Sequence, residues 1–164
     1  MLETSSRSFT IGTVLASTER SDFSSLDILL RGSAWKPIKV STCAGATQAI
    51  RRQRVPIVLC DVALEAQPWQ MTLCKLRMAR SECSVVFLSN EPDPDLSREI
   101  AEHNGLDLLV RPLARELVFR SLFLAYSRWL SRLVYTQGYL GRYVPEGGSG
   151  GPSALSERNT VRTR

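Results

Sequence analysis

VPIVLCD, residues 55–61, decides the fold of this 164-residue chain. Val55, Ile57, Val58, Leu59 and Cys60 form an apolar run that stops on a carboxylate, Asp61. A strand with one wet face alternates apolar and polar side chains, whereas an unbroken apolar run is expected where both faces are covered, as in a parallel sheet. The residue at the carboxyl end of such a strand emerges on the rim where open α/β sheets hold their ligands. Asp61 is therefore a candidate site residue. A helix cap or a loop position is the alternative, because Asp is common in both.

Working outward, the same beat of strand and helix repeats on both sides. Toward the N-terminus, TVLAS (13–17) reads as a strand, and SDFSSLDILLRGS follows with Phe23, Leu26, Leu29 and Leu30 at helical spacing. Ser21 or Asp22 is available there as a cap, and Gly32 as a terminator. WKPIKVST is a second strand whose Pro37 suggests a sheet edge, and CAGATQAIRRQR is a short helix with a basic, solvated end. Toward the C-terminus, WQMTLCKLRMAR offers Met71, Leu73, Cys74, Leu76 and Met78 as a helical apolar stripe, SVVFLSN (84–90) is a fourth strand, and a helix from Pro94 ends at Asn104-Gly105 with His103 in its last turn. LDLLVRP is the fifth strand. ARELVFRSLFLAYSRWLSRLVY is a long helix with Val118, Phe119, Leu122, Tyr126, Trp129, Leu130 and Leu133 on one face and Arg120, Ser121, Arg128, Ser131 and Arg132 opposite.

Five strands alternating with five helices require crossover connections, and so a doubly wound parallel sheet in a single α/β domain. The expected boundaries are a flexible N-terminus over 1–11, the folded domain over 12–135 and a disordered Gly-, Ser- and Arg-containing tail over 136–164, too poor in apolar residues to offset its ordering entropy. The net charge is +5; four arginines and two glutamates from Thr136 onward account for +2 of it, which leaves too small an excess to suggest nucleic acid. Four cysteines without a CxxC pair and a single histidine give no zinc-like ligand set, so the thiols are read as reduced, buried small side chains. No apolar stretch approaches the roughly 20 residues of a membrane span, and the first residues lack the order of a secretory signal, which points to the cytoplasm.

The strand ends carry the chemistry. The first strand ends in Ser17-Thr18-Glu19, the third in Asp61, the fourth in Ser89-Asn90 and the fifth in Arg111-Pro112. A carboxylate, a hydroxyl and a fixed cation on one rim suit phosphoryl transfer: Asp61 as nucleophile, Ser89 as hydrogen-bond partner of the phosphoryl oxygens, Arg111 as their counter-charge. No Gly-rich phosphate loop, catalytic Ser-His-Asp set or dinucleotide fingerprint is present, and no enzymatic activity is expected.

In these segments the sequence resembles the receiver domain of two-component response regulators. VPIVLCDVALEAQPWQMTLCKLR is similar to the segment around the phospho-accepting aspartate, SVVFLSNEPD to the segment with the Ser or Thr switch, and LLVRPLARELVFR to the Lys-Pro segment leading into the last helix; together the likeness covers roughly residues 12–132. The resemblance implies a flavodoxin-like fold, phosphoryl acceptance at Asp61, and Mg²⁺ held by Asp61 with an acid after the first strand. Glu19 is the acid available, since Thr18 stands where a second one is usual. It implies a sensor histidine kinase or phosphotransfer protein as donor and a downstream effector as reader in a phosphorelay. With no output domain following, the signal would pass by protein contact, and Leu124 beside Arg120 and Arg128 is the candidate docking or homodimer surface.

Other positions depart from the family pattern. Arg111 replaces the usual lysine, Leu108 stands where an aromatic switch residue is often found, and Glu65-Ala66 replaces a Pro-Gly turn. The alternative is thus a degenerate pseudo-receiver, a protein-interaction module that binds irrespective of phosphorylation.

Overall fold

A computed structural model of the chain describes residues 9–141, with side chains described through residue 135. The order of elements is β1 Ile11–Ala16, α1 Arg20–Leu30, β2 Trp35–Val40, α2 Cys43–Arg52, β3 Ile57–Asp61, α3 Trp69–Ala79, β4 Ser84–Ser89, α4 Pro94–Glu102, β5 Asp107–Val110 and α5 Arg115–Gly141. All five strands are parallel, in the order β2-β1-β3-β4-β5. The VPIVLCD strand is therefore central, and Pro37 sits on an edge strand, where a missing N–H costs least.

Alternation along β3 shows why its sequence is unbroken. Ile57 and Leu59 face one way, into a core with Leu15, Leu26, Val86, Leu88, Val118 and Leu122 beneath α1 and α5. Val58 and Cys60 face the other way, into a core with Val14, Ile50, Leu73, Leu76, Phe87 and Ile100 beneath α2, α3 and α4. Every β3 residue is buried, so each position must be apolar except the last, at the rim.

Local signals set the helix ends. Thr42 Oγ1 accepts the Gly45 N–H at 3.0 Å to start α2, and Asp93 Oδ1 accepts the Leu96 N–H at 2.9 Å to start α4, with Pro94 in its first turn. Two arginines from the end of α3 hold the far ends of its neighbours. Arg80 donates to Ile50 O at 3.0 Å and Arg51 O at 3.3 Å on α2, and Arg77 donates to His103 O and Asn104 O after α4. His103 closes α4 with Nδ1 2.8 Å from Glu99 O. Gly105 is required by close approach: a Cβ there would meet Ile100 Cγ2 at 2.4 Å.

Several side chains lie elsewhere than the sequence suggests. On α3 the buried residues are Thr72, Leu73 and Leu76, while Met71, Cys74 and Met78 are exposed. Trp69 sets that rotation by packing edge-on against Phe87 at 5.5 Å between centroids, which brings positions 72, 73 and 76 to the sheet. Only three of the four cysteines are thus buried. On α5, Ser121 is buried and donates to Asp107 Oδ2 at 3.2 Å, whereas Leu130 is exposed. That helix runs to Gly141, past the boundary at 135 expected from sequence. Residues 1–8 and 142–164, which hold most of the expected flexible terminus and tail, lie outside the described residues.

Candidate functional site

The strand order reverses between β1 and β3, and the register aligns the carboxyl ends there: Ala16 pairs with Cys60, Asp61 with Leu88, and Ser89 with Val110. One residue beyond β5, the Arg111 N–H bonds Ser89 O at 2.9 Å, so the side chain of Arg111 starts from a fixed point on the rim. The Arg111–Pro112 peptide bond is cis.

From that point the guanidinium reaches back across the top of the sheet. Nε donates to Asp22 Oδ1 at 2.8 Å and Nη2 to Asp22 Oδ2 at 2.7 Å, a two-pronged pair with the first turn of α1. The same Nη2 donates to Asp61 Oδ2 at 2.6 Å, and Nη1 to Asn90 Oδ1 at 3.1 Å. One side chain therefore ties together α1, β3 and the loop after β4. The remaining oxygens have partners as well: Asp61 Oδ1 accepts the Ala63 N–H at 2.7 Å, and Asp22 Oδ2 accepts the Ser17 hydroxyl at 2.5 Å.

Burial makes these contacts matter. Asp22 is 2% exposed and Asp61 8%, and the Arg111 side chain is 15% exposed. Burial on its own pushes the Asp22 carboxyl up, but the hydrogen bonds from Arg111 and Ser17 and the charge of Arg111 outweigh it and hold the carboxyl below its ordinary value. The hydrogen bonds that Arg111 donates to Asp22, with the charges of both aspartates, raise Arg111 in turn.

Asp22 is the residue that sequence reasoning missed. Its place in the first turn suggests a cap, yet Glu19 occupies the cap position of α1 and no side chain caps that helix. A signal was present all the same. Asp22 stands four residues before Leu26 and eight before Leu30, and all three are buried on one face.

Of the residues singled out by sequence, Asp61, Ser89 and Arg111 share one cavity of about 470 Å³, lined also by Asn90 and Asp93. Of their side chains, only those of Asp61 and Arg111 are hydrogen-bonded to each other. The Ser89 hydroxyl donates to Glu91 O at 2.9 Å within its own loop. A larger cavity of about 850 Å³ lies between α2 and α3, lined by Thr47, Gln48, Arg51, Glu65 and Lys75, away from this rim. Leu124, Arg120 and Arg128 lie on the exposed side of α5, with Arg120 bound to Asp107 at 3.2 Å.

No family model matches the sequence, and no curated protein matches it. Solved structures do. A signal receiver domain from Vibrio parahaemolyticus matches with a TM-score of 0.68 at 19% identity, over 76% of this chain and 97% of that one. A response regulator from Thermotoga maritima matches with a TM-score of 0.65 at 19% identity (72% and 98%), and the chemotaxis protein CheY4 of Vibrio cholerae with 0.62 at 14% (71% and 98%). The chain has the receiver fold. At these identities the likeness is one of fold, and the chemistry of this receiver-fold site rests on its own residues.

Those residues do not fit the Mg²⁺ that the resemblance implies. Glu19 is exposed, and its backbone N–H, rather than its carboxylate, meets the site, bonding Ser17 Oγ at 3.0 Å. Asp61 instead has Asp22 as its acidic neighbour, and the oxygens they turn toward each other both accept from Arg111 Nη2. Mg²⁺ needs near-octahedral oxygen donors, and here the space between the two carboxylates is taken by a guanidinium. Among the described residues no group of three or more His, Cys, Asp and Glu side chains is placed to hold a metal.

Proposed function

We propose that this chain is a receiver-fold signalling module of the cytoplasm that works by protein contact, with its acidic pocket held in one state by Arg111 rather than switched by phosphorylation. The observation that carries this reading is the bridge from Arg111 Nη2 to Asp22 Oδ2 and Asp61 Oδ2 at 2.7 and 2.6 Å. Two buried carboxylates already share one cation. A phosphoryl group on Asp61 would bring more negative charge to a site whose counter-charge is spent, and Asp61 would have to give up a strong hydrogen bond to act as nucleophile.

The contact surface is the outward side of α5. Phe123 is 60% exposed, Leu124 45%, Leu130 42% and Val134 69%, a run of apolar side chains where a solvated helix face is ordinarily charged. Arg120 and Arg128 flank it, and through residue 135 the helix carries four arginines against one glutamate. The fitting partner is an effector protein presenting an apolar ridge edged by carboxylates, which charge complementarity favours over a second copy of this basic helix.

The test is incubation of the full chain with Mg²⁺ and acetyl phosphate, followed by intact-mass measurement, with Asp61→Asn as control. The expected result is no adduct on either protein. An acid-stable, base-labile adduct on the wild type that Asp61→Asn removes would overturn this reading in favour of a second one, phosphoryl acceptance at Asp61 from a histidine kinase or phosphotransfer protein. What favours that second reading is the cavity shared by Asp61, Ser89 and Arg111, which leaves room above the carboxylate.

A further inference from the structure

Arg111 does more than neutralise its neighbours. Asp22 Oδ2 and Asp61 Oδ2 come from elements 39 positions apart in sequence, yet they converge on a single nitrogen, Nη2. Each carboxylate has a further partner that fixes it: the Ser17 hydroxyl donates to Asp22 Oδ2 and the Ala63 N–H to Asp61 Oδ1. Two oriented, buried carboxylates aimed at one point form a cation site by electrostatics alone, since each would otherwise be a buried charge without a partner. The point is filled from within the chain. A lysine could not do this in the same way, because its compact ammonium lacks the fork that grips Asp22 through two nitrogens while reaching Asp61 and Asn90.

We infer that Arg111 is the built-in cation of this site: its guanidinium takes the place between Asp22 and Asp61 that a divalent metal ion would occupy, which makes the domain indifferent to divalent metals and leaves a latent metal site beneath the arginine. The inference deepens the phosphorylation-independent reading, since a site that carries its own cation has no use for Mg²⁺. A tethered cation is present at a fixed local concentration whatever the metal content of the surroundings, and it stays charged at any physiological pH. Truncation of the guanidinium exposes two carboxylates whose mutual repulsion a divalent ion relieves.

The experiment uses the full chain and Mn²⁺ as probe, titrated against wild type, Arg111→Gln and the double variant Asp22→Asn/Arg111→Gln, with free Mn²⁺ read by electron paramagnetic resonance. Wild type is expected to show no saturable binding, Arg111→Gln one site at least tenfold tighter than anything in the wild type, and the double variant a loss of that site. Saturable Mn²⁺ binding by the wild type, no gain in Arg111→Gln, or a gain that survives Asp22→Asn would overturn the inference. Melting of the wild type with and without Mg²⁺ supplies a measurement that depends on no variant: an unchanged midpoint supports the inference and a rise overturns it, whether or not Arg111→Gln folds. The two proposals fail separately. An Asp61 adduct from acetyl phosphate in a wild type that ignores Mn²⁺ would end the phosphorylation-independent reading and leave the built-in cation standing.

Discussion

Asp22→Asn tests the bridge most directly, because it preserves shape and removes charge. The side chain is 3% exposed, accepts from Arg111 Nε and Nη2 at 2.8 and 2.7 Å, and accepts from Ser17 at 2.5 Å. An asparagine in its place offers one oxygen and turns an NH₂ group toward either the guanidinium or the Ser17 hydroxyl. The hydroxyl can reverse its role and accept, whereas the guanidinium cannot, so one Arg111 hydrogen bond is lost and the other keeps charge on its donor alone. Removing one partner of a buried ion pair costs about 3–5 kcal/mol. Arg111 keeps Asp61 and Asn90 and is 15% exposed, which places the expected loss lower, at about 2–3 kcal/mol, in line with one or two charge-assisted hydrogen bonds. For a domain of this size that corresponds to a fall in melting temperature of roughly 10 °C.

The control is Glu19→Gln. Sequence reading favours Glu19 as the acid of the site, but its exposure predicts a change within about 0.5 kcal/mol. Urea unfolding of both variants and of the wild type decides between them. A loss for Asp22→Asn no larger than that for Glu19→Gln would refute the bridge as a structural element. The double variant Asp22→Asn/Arg111→Gln closes a cycle, and an interaction energy near zero would refute direct coupling of the pair.

Acid should act through the same residue. Because its folded pKa lies below the ordinary 3.8, Asp22 contributes stability above that value and loses it as the pH falls through the folded pKa, so urea midpoints from pH 6 to pH 2 are expected to drop more steeply for wild type than for Asp22→Asn below pH 4; parallel curves would contradict this. Arg80→Ala removes the guanidinium from Ile50 O and Arg51 O and is expected to cost about 1–2 kcal/mol, with faster hydrogen exchange confined to the last turn of α2; uniform exchange changes would argue against a capping role. Ellman's reagent at pH 8 should modify Cys74 alone in the native chain, because Cys43, Cys60 and Cys83 are buried and the Cys83 thiol is pushed up to about 12; rapid reaction of a second thiol would count against this packing.

The legibility of this fold tracks how many independent constraints a residue satisfies. VPIVLCD is readable because both faces of β3 are covered, so every position repeats the same demand and the single exception, Asp61, stands out. Helix α3 is less legible because Leu73 and Leu76 belong equally to a stripe with Met71, Cys74 and Met78 and to one with Trp69 and Thr72. Composition favours the first stripe, yet a contact distant in sequence, Trp69 against Phe87, selects the second.

Asp22 is the sharper case, because two local rules compete at one position. Helix-start statistics assign an Asp beside a Ser to capping, while its spacing from Leu26 and Leu30 places it on the buried face. Spacing prevails because burial of Asp22 is compensated by a cation 89 positions away, which local sequence does not reveal. The same fact limits how far family resemblance carries at the rim. The resemblance points to Glu19, which is exposed, whereas the acid that meets Arg111 is Asp22, three residues later on the buried face of α1. Asp22 and Arg111 therefore have to be read together: without the guanidinium Asp22 would be a buried charge lacking a cation, and with it α1, β3 and the loop after β4 close around one side chain.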